Sequence, residues 1–332
     1  MMSSPIGHGV TAWSSEAWRR GALDWIDERL GASGIQRLGE PGTGRVRPWS
    51  AVLELPTSVG SVWFKATAPA TSFEVGLYEL LARVEPDFTL KPIASDRRLG
   101  WVLLPDGGPT LGQQRGVERF GAVFPAYARF QLRFAPHAGE AIAVGVGDMR
   151  PERLPGRFAE ARGLVGDASD ASELAAHLEQ MVPAVSEWSA RLASSELPAS
   201  LDHNDLHPGN VLGDPGEGVR LYDWGDAVIA HPFAAMLVPL GVVRSHLGGA
   251  ALDDPALTRV RDLYLAEFAE FAAHDELVEQ LELACRLAKI ARALTWERAL
   301  RTASEQGQEM DGLFATAVAG HLRSLLDDSY LV

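Results

Sequence analysis

Histidine, aspartate and asparagine side chains crowd one short stretch of this sequence, residues 201–227, which reads LDHNDLHPGNVLGDPGEGVRLYDWGDA. Such polar density between apolar segments indicates chemistry. One interpretation is a zinc site, because His203 and His207 have the spacing that places two imidazoles on one helical face. Pro208 and Gly209 follow directly, however, and both residue types end helices, so the stretch is predicted to be a loop. A third zinc ligand and a glutamate base do not stand at the expected places either.

The second interpretation is phosphate chemistry, which uses different atoms of the same stretch. His203, Asp205 and Asn210 follow the pattern H-x-D-x-x-x-x-N of kinase catalytic loops. The Asp205 carboxylate can accept the proton of an attacking hydroxyl, and the Asn210 amide oxygen can coordinate magnesium. Asp223 follows a short apolar strand and is suited to bridging magnesium to the phosphates. A hairpin turn over residues 213–218 is predicted to join the two segments.

Chemistry of this kind also requires a lysine for the nucleotide phosphates, and Lys65 in the strand-like segment SVWFKA is the candidate. The chain has only three lysines among its 30 basic residues, so a lysine inside an apolar strand indicates a need for a compact ammonium group. The alternative is an edge lysine that reaches water. An ion-pair partner is expected on the next helix, at Glu74 or Glu79. Glu74 is preferred because the first helical turn lies closest to the strand end.

The elements that must position these residues change in character along the chain. The first part is predicted to contain a helix over residues 15–30, a hairpin of strands 49–55 and 61–66, a helix over 73–84 capped by Thr71 or Ser72, and strands near 90–94 and 100–104. After the turn-rich PDGGPT, helical patterns cover residues 117–135, 172–194, 254–273, 276–304 and 311–327. A mainly β part therefore precedes a mainly helical part, with the boundary near residues 105–108.

Composition and charge argue against several classes of function. The chain has 332 residues, of which 46% are hydrophobic and 22% charged, and its net charge is −14. This acidic balance disfavours binding to nucleic acid or to an anionic membrane, because both need a basic surface. Cys285 is the only cysteine, so neither an intrachain disulfide nor a thiolate zinc site is possible.

The sequence also predicts no membrane-spanning or export segment. Residues 1–20 lack an apolar signal core. The most apolar run, residues 227–243, is interrupted by His231, Pro232 and Pro239 and is not expected to span a bilayer. The expectation is a cytoplasmic enzyme or binding protein.

The motifs together resemble the aminoglycoside phosphotransferase and choline kinase superfamily, small-molecule relatives of the protein kinases. The resemblance rests on LDHNDLHPGNVL, LYDWGDA, the PWSAV and VWFKA strands with the FEVGLYELLA helix, and GWVLLPDGG. It covers about residues 45–235 and implies an α+β, two-lobed protein-kinase-like fold. Residues 1–105 would form a small, mainly β lobe with one helix that clamps the nucleotide. Residues 106–332 would form a larger, mainly helical lobe with the catalytic loop, the metal site and the acceptor pocket.

The resemblance further implies that ATP and magnesium bind between the lobes and that the γ-phosphate passes to a hydroxyl of a small molecule. Carried over position by position, Asp205 would be the base, and Asn210 and Asp223 the magnesium ligands. Lys65 with Glu74 would clamp the phosphates.

Other positions carry over with departures from the family pattern. His203 would orient the loop, and Leu103 to Asp106 would form the hinge that meets adenine through backbone groups. Asn204 stands where many members have glycine. No complete glycine-rich loop is present in GTGRVRPWSAV, so Ser50 and nearby backbone amides are expected to cover the phosphates instead.

The acceptor does not follow from the sequence. Members of the superfamily phosphorylate aminoglycosides, other antibiotics, choline, homoserine, fructosamines and amino sugars, and an acidic chain suits a cationic acceptor. Asp226, Trp296 and Glu297 are candidate acceptor contacts, although Asp226 equally fits a turn and Trp296 a core position. The competing functions are a nucleotide-binding pseudokinase that acts as a scaffold and a zinc hydrolase.

Overall fold

The computed structural model of the chain describes residues 7–42, 44–113, 116–165, 171–308 and 313–331. Two units are distinguished by their internal contacts. The first unit comprises Met1–Gly108 and Arg298–Asp311, and the second comprises Pro109–Glu297 and Gly312–Val332. The assignment of a separate function to each lobe remains a prediction.

The first unit contains a five-stranded antiparallel sheet with the strand order β1-β2-β3-β5-β4. Its strands are β1 (Arg45–Arg47), β2 (Ser50–Thr57), β3 (Gly60–Thr67), β4 (Ala94–Asp96) and β5 (Trp101–Pro105). Its helices are α1 (Val10–Trp13), α2 (Glu16–Ala32) and α3 (Phe73–Val84). The predicted hairpin is present as β2 and β3, with Val52 opposite Lys65.

The alternation of side chains along β3 decides which residues face which helix. Val62, Phe64 and Ala66 are buried on one face, where Phe64 contacts two tryptophans of α2. Because successive side chains point to opposite faces, Lys65 lies on the other face, toward α3. Helix α2 begins at the residue after Ser15, whose hydroxyl accepts a hydrogen bond from the Trp18 amide at 3.2 Å.

Two details of the first unit correct the predictions. The strand expected near residues 90–94 is Ala94–Asp96; Pro92 stands just before it and has no N–H to donate to a neighbouring strand. Neither Thr71 nor Ser72 caps α3 through its side chain. Both hydroxyls instead donate to carbonyl groups of the turn that leads into the helix, and the Thr71 hydroxyl also contacts the Trp49 carbonyl just before β2.

The second unit is mainly helical, as predicted. Its helices are α4 (Val117–Gly121), α5 (Phe124–Phe134), α6 (Ala138–Ala143), α7 (Leu154–Arg162), α8 (Ala171–Gln180), α9 (Val182–Ala193), α10 (Leu237–His246), α11 (Pro255–Leu265), α12 (His274–Glu305) and α13 (Leu313–Ser324). Strands β6 (Gly147–Met149), β7 (Ser200–Asp202) and β10 (Val228–Ala230) form one sheet in the order β6-β10-β7, and β8 (Val211–Asp214) pairs with β9 (Gly218–Leu221).

Several predicted helices are shorter than their patterns suggested. Residues 117–135 form α4 and α5, and residues 172–194 form α8 and α9. Pro125 and Pro183 stand in the first turns of α5 and α9, where proline is tolerated but prevents the preceding helix from continuing. Across the described part of the chain, the helices lack the combination of length and apolarity needed to cross a membrane.

Candidate active site

The predicted catalytic loop, residues 203–210, follows β7 and has an uncommon backbone conformation at Asn204. Its φ of 60° lies in the left-handed region, which glycine and asparagine tolerate best. The Asn204 side chain donates hydrogen bonds to Thr295 Oγ1 at 2.9 Å and to the Asp226 carbonyl at 3.2 Å. Asparagine therefore suits this backbone conformation, and its side chain connects the loop to α12.

Asp205 follows this turn and is surrounded by cationic and donor groups. Its Oδ1 atom lies 3.4 Å from Arg292 Nη2, and its Oδ2 atom lies 3.6 Å from His207 Nε2. Burial opposes ionisation, but the contact with His207 and the charge of Arg292 outweigh it and lower the pKa of Asp205 to about 2. The side chain is still 34% exposed, so an ionised carboxylate is accessible to a ligand.

Asn210 and Asp223 lie at the same end of the β8–β9 hairpin. Strand pairing places Val211 opposite Leu221, and the Tyr222 amide donates to the Asn210 carbonyl at 3.4 Å. The Asn210 Nδ2 atom donates to the Asp205 carbonyl at 2.9 Å, which leaves the amide oxygen as the ligand atom. Two oxygen donors of this type fit a hard cation such as Mg²⁺.

Asp223 itself has a φ of 64°, again in the left-handed region. Non-glycine residues held there are uncommon and cluster at functional sites. The hairpin turn predicted between residues 213 and 218 is present, at the opposite end of β8 and β9 from Asn210 and Asp223.

His203 is fully buried, and its contacts connect the predicted catalytic loop to neighbouring parts of the second unit. Its Nε2 atom lies 2.9 Å from the Tyr222 carbonyl, its ring packs 4.7 Å from Trp224, and its backbone amide donates to the Tyr127 hydroxyl at 2.9 Å. Burial lowers the pKa of His203. A neutral imidazole that donates to the residue preceding Asp223 ties the two halves of the site together.

The zinc interpretation finds no support in this geometry. His207 Nδ1 accepts a hydrogen bond from the Gly209 amide at 3.0 Å, whereas His203 Nε2 faces the Tyr222 carbonyl. Within the described ranges, no three or more His, Cys, Asp or Glu side chains are arranged to hold a metal.

The predicted ion pair of the first unit is present. Lys65 Nζ lies 2.8 Å from Oε1 and 2.7 Å from Oε2 of Glu74, which is almost completely buried in the first turn of α3. Glu79, the alternative partner, instead accepts hydrogen bonds from Ser95 and Arg97, each at 2.5 Å.

The remaining nucleotide candidates of the first unit are less accessible than the sequence suggested. Ser50 is buried at the start of β2, opposite Arg47. Gly44 is exposed, and an added Cβ there would lie 2.7 Å from the Leu53 side chain, so the close approach to β2 favours glycine at this position. Thr43, between the two glycines of that segment, lies outside the described residues.

The predicted hinge begins inside the sheet. Leu103 is fully buried, and its carbonyl accepts a hydrogen bond from the Ile93 amide at 2.8 Å. Strand β4 pairs only as far as Leu103. Asp106 is exposed, and its carboxylate accepts a hydrogen bond from the Gly108 amide at 3.0 Å. The adenine contact stays a prediction, restricted to the residues beyond Leu103.

The three candidate acceptor contacts have different surroundings. Asp226 Oδ2 lies 3.1 Å from Arg292 Nη1, so this carboxylate has a protein partner. Trp296 packs against Phe314 with ring centroids 5.8 Å apart, and Glu297 is half-buried on the same helix.

Sequence reasoning missed Arg292 and Thr295, the two α12 residues that contact the catalytic loop. The signal was available, because Leu281, Cys285 and Ala288 continue in helical spacing to Arg292 and form a buried stripe. A charged residue at a stripe position requires a buried partner.

Comparison with known protein families shows the class of this protein. Residues 61–277 match the phosphotransferase enzyme family (APH), and the chain belongs to this family. The predicted enzyme class, an ATP-dependent phosphotransferase that acts on a hydroxyl group, is thereby confirmed. No curated protein sequence matches the chain significantly.

Solved structures show the same kinase-like fold at low sequence identity. An ethanolamine kinase from Plasmodium vivax has a TM-score of 0.63 and 9% identity, covering 95% of this chain and 90% of its own. A macrolide 2'-phosphotransferase type I has a TM-score of 0.56 and 16% identity, covering 92% and 100%. The amicoumacin kinase hAmiN, in complex with AMP-PNP, Ca²⁺ and Ami, has a TM-score of 0.54 and 13% identity, covering 96% and 98%.

Proposed function

We propose that this enzyme is a magnesium-dependent kinase that transfers the γ-phosphate of ATP to a hydroxyl of a small, amine-bearing molecule. The observation that carries the proposal is the arrangement of an ionised, partly exposed Asp205 beside Asn210, with Asp223 at the same end of the hairpin. Loss of any one of these groups typifies a pseudokinase, and all are present together with Lys65.

The protein groups have separate tasks in this reaction. The acceptor oxygen forms a bond to the γ-phosphorus while the bond to the oxygen of the departing ADP breaks. Asp205 orients the hydroxyl and receives its proton as the new bond forms. Because this carboxylate is ionised and partly exposed, it can hold and align the hydroxyl before the proton is transferred.

Asn210 and Asp223 would hold Mg²⁺, which neutralises charge on the transferred phosphate. Lys65, held by Glu74, would contact the α- and β-phosphates through its ammonium group. The nucleotide and the cation bound to the similar amicoumacin kinase are consistent with this cofactor pair.

An amine-bearing acceptor is supported by the net charge of −14 and by the ethanolamine named for one similar structure. Asp226 is paired with Arg292, so it contributes less to attracting an amine than the sequence suggested. Glu297, which is half-buried on α12, is a second carboxylate candidate for that contact.

Two variants test the proposed division of tasks. Asp205→Ala should bind Mg–ATP nearly normally and lose about 10²–10⁴ in turnover, the usual contribution of a catalytic base. Asp223→Ala should weaken Mg–ATP binding as well as turnover. Binding is measured by calorimetric titration and turnover by acceptor-dependent ADP release, after a screen of aminoglycosides, amino sugars and amino alcohols.

Near-normal turnover of Asp205→Ala would show that another group takes the proton. Tight binding of Mg–ATP to Asp223→Ala would place the metal elsewhere. A wild-type protein that binds Mg–ATP but phosphorylates no acceptor would favour the pseudokinase.

A further inference from the structure

Arg292 of α12 contacts Asn204 and Asp205 of the predicted catalytic loop, and Asp226 after β9, through one guanidinium group. Its Nη2 atom lies 3.4 Å from Asp205 Oδ1, and its Nη1 atom lies 3.1 Å from Asp226 Oδ2. Nη1 also donates a hydrogen bond to the Asn204 carbonyl. The side chain is only 9% exposed, so these contacts are largely shielded from solvent.

The shape of the guanidinium makes this arrangement directional. Arginine presents its donors in a rigid planar fork, so fixing one arm on Asp226 fixes the direction of the other arm. That second arm contacts Oδ1 of Asp205. The Oδ2 atom instead lies 3.6 Å from His207 Nε2 and 3.5 Å from Asn210 Nδ2.

We propose that Arg292 is a positioning residue that holds Oδ1 of Asp205 and thereby presents Oδ2 to the acceptor hydroxyl. Asp226 acts as the counter-ion that anchors Arg292. The inference rests on the proposed role of Asp205 and adds to it two residues with assigned tasks. It also removes Asp226 from the set of acceptor contacts.

A purely structural role makes a different prediction. Removing one partner of a buried ion pair destabilises a protein by leaving the other charge unpaired. If Arg292 served only to neutralise Asp226, its loss would lower stability, and turnover by the folded protein would be unchanged.

The first experiment compares Arg292→Met with Arg286→Met. Arg286 lies on the same helix, is partly exposed to solvent and contacts carbonyl groups of the C-terminal segment. Arg292→Met should lose about 10-fold to 10²-fold in kcat, less than the loss of Asp205 itself, with little change in the Kd of Mg–ATP. Arg286→Met should retain wild-type turnover, and Arg292→Lys should recover only part of the loss because a single ammonium lacks the fork.

The second experiment measures coupling to Asp205. In an Asp205→Ala background, adding Arg292→Met should cause little further loss of turnover, because both changes disable the same group. A full additional loss in the double variant would overturn the inference, since Arg292 would then act independently of Asp205.

The third variant combines Arg292→Met with Asp226→Asn and so removes both charges of the anchoring pair. It avoids the unpaired Asp226 carboxylate that Arg292→Met alone would leave. It keeps the test available if the single variant does not fold. Turnover should stay low in this variant. Recovery to the wild-type value would show that Arg292 only neutralised Asp226.

These outcomes are distinguishable from failure of the proposed function. If Asp205→Ala alone retained turnover, the assignment of the base would be wrong whatever Arg292 does. If Asp205→Ala lost turnover and Arg292→Met did not, only the positioning role would fail.

Discussion

Both carboxylate oxygens of Glu74 lie within 2.8 Å of the Lys65 ammonium group, inside the first unit. The Glu74 side chain is nearly inaccessible to solvent, and the Lys65 side chain is 11% exposed. The ion pair therefore restricts the Lys65 side chain, which could otherwise adopt many rotamers, and fixes the position of its ammonium group. A fixed ammonium group is what phosphate binding requires, because its orientation is settled before the ligand arrives.

Replacing Lys65 should impair turnover strongly. Lys65→Met should lose about 10²-fold or more, the typical result of removing one preorganised charge from a transferring phosphate. Lys65→Arg should restore only part of it, because the planar guanidinium needs more room beside Glu74. Steady-state kinetics with saturating acceptor measures the effect, with the exposed Lys91→Met as the matched control. Wild-type turnover in the arginine variant would contradict the placement.

Because Asn204 has a left-handed backbone conformation, variants at this position should differ in stability in a defined order. Asn204→Gly keeps the backbone conformation and loses the side-chain contact with Thr295. Asn204→Ala loses the contact and also places an ordinary residue at positive φ, which costs about 1–2 kcal/mol more. Thermal unfolding should therefore rank wild type above the glycine variant and the glycine variant above alanine. Thr295→Val should have little further effect in the glycine background, and an equal Tm for glycine and alanine would contradict the argument.

The buried carboxyl of Asp202 should make the free energy of unfolding depend on pH. Burial raises the pKa of this carboxyl to about 7, so the folded state favours the protonated form. As the pH rises from about 4 to 7, the unfolded chain releases this proton while the folded chain retains it, and stability falls. One pKa unit corresponds to about 1.4 kcal/mol, so the total is a few kcal/mol.

Asp202→Asn imitates the protonated carboxyl at every pH. Its Tm relative to wild type should therefore be higher at pH 8 than at pH 5, as measured by calorimetry. The exposed Asp253→Asn serves as the control, and its effect should be the same at both values. A difference for Asp202→Asn that does not grow with pH would show that the carboxyl ionises freely in the folded state.

The charge of the acceptor provides a further prediction. An acceptor with a free amine should be phosphorylated with a kcat/KM about 10-fold above that of its N-acetylated analogue, because the acidic protein attracts the cation. Glu297→Gln should reduce this preference by raising KM for the amine alone. Efficient transfer confined to neutral or anionic acceptors would refute the cationic class.

Local motifs were the most predictable part of the site. Asp205, Asn210 and Asp223 belong to one short stretch whose spacing already specifies a loop and a hairpin, and the structure contains both. Lys65 and Glu74 were also predictable, because side-chain alternation and the first helical turn act over few residues. Arg292 was not identified, because it is distant in sequence and an arginine in a helical pattern usually indicates a solvent-facing position.

The predicted helix and strand bounds that were wrong depend on single residues and on tertiary pairing. The breaks before α5 and α9 depend on single prolines within otherwise continuous helical periodicity. Strand β4 begins at Ala94, which pairs with Leu103, so the start of β4 decides whether the backbone of Leu103 is accessible to a ligand. The apolar pattern around residue 90 did not define this start. Such features are decided by tertiary pairing, which a pattern of residue types does not contain.

The first unit is assembled from two separate pieces of chain, and this has a consequence for its synthesis. Gln306 donates a hydrogen bond to the His8 carbonyl at 2.7 Å, and the guanidinium of Arg298 lies 4.5 Å from the centre of the Phe73 ring. Both late residues are translated only after Pro109–Glu297 has been made. The N-terminal segment of the first unit is synthesised first, but its structure is complete only after the segment near the C-terminus has been synthesised. Its folding cannot be strictly vectorial, and a fragment that stops at Gly108 would leave these contacts unmade.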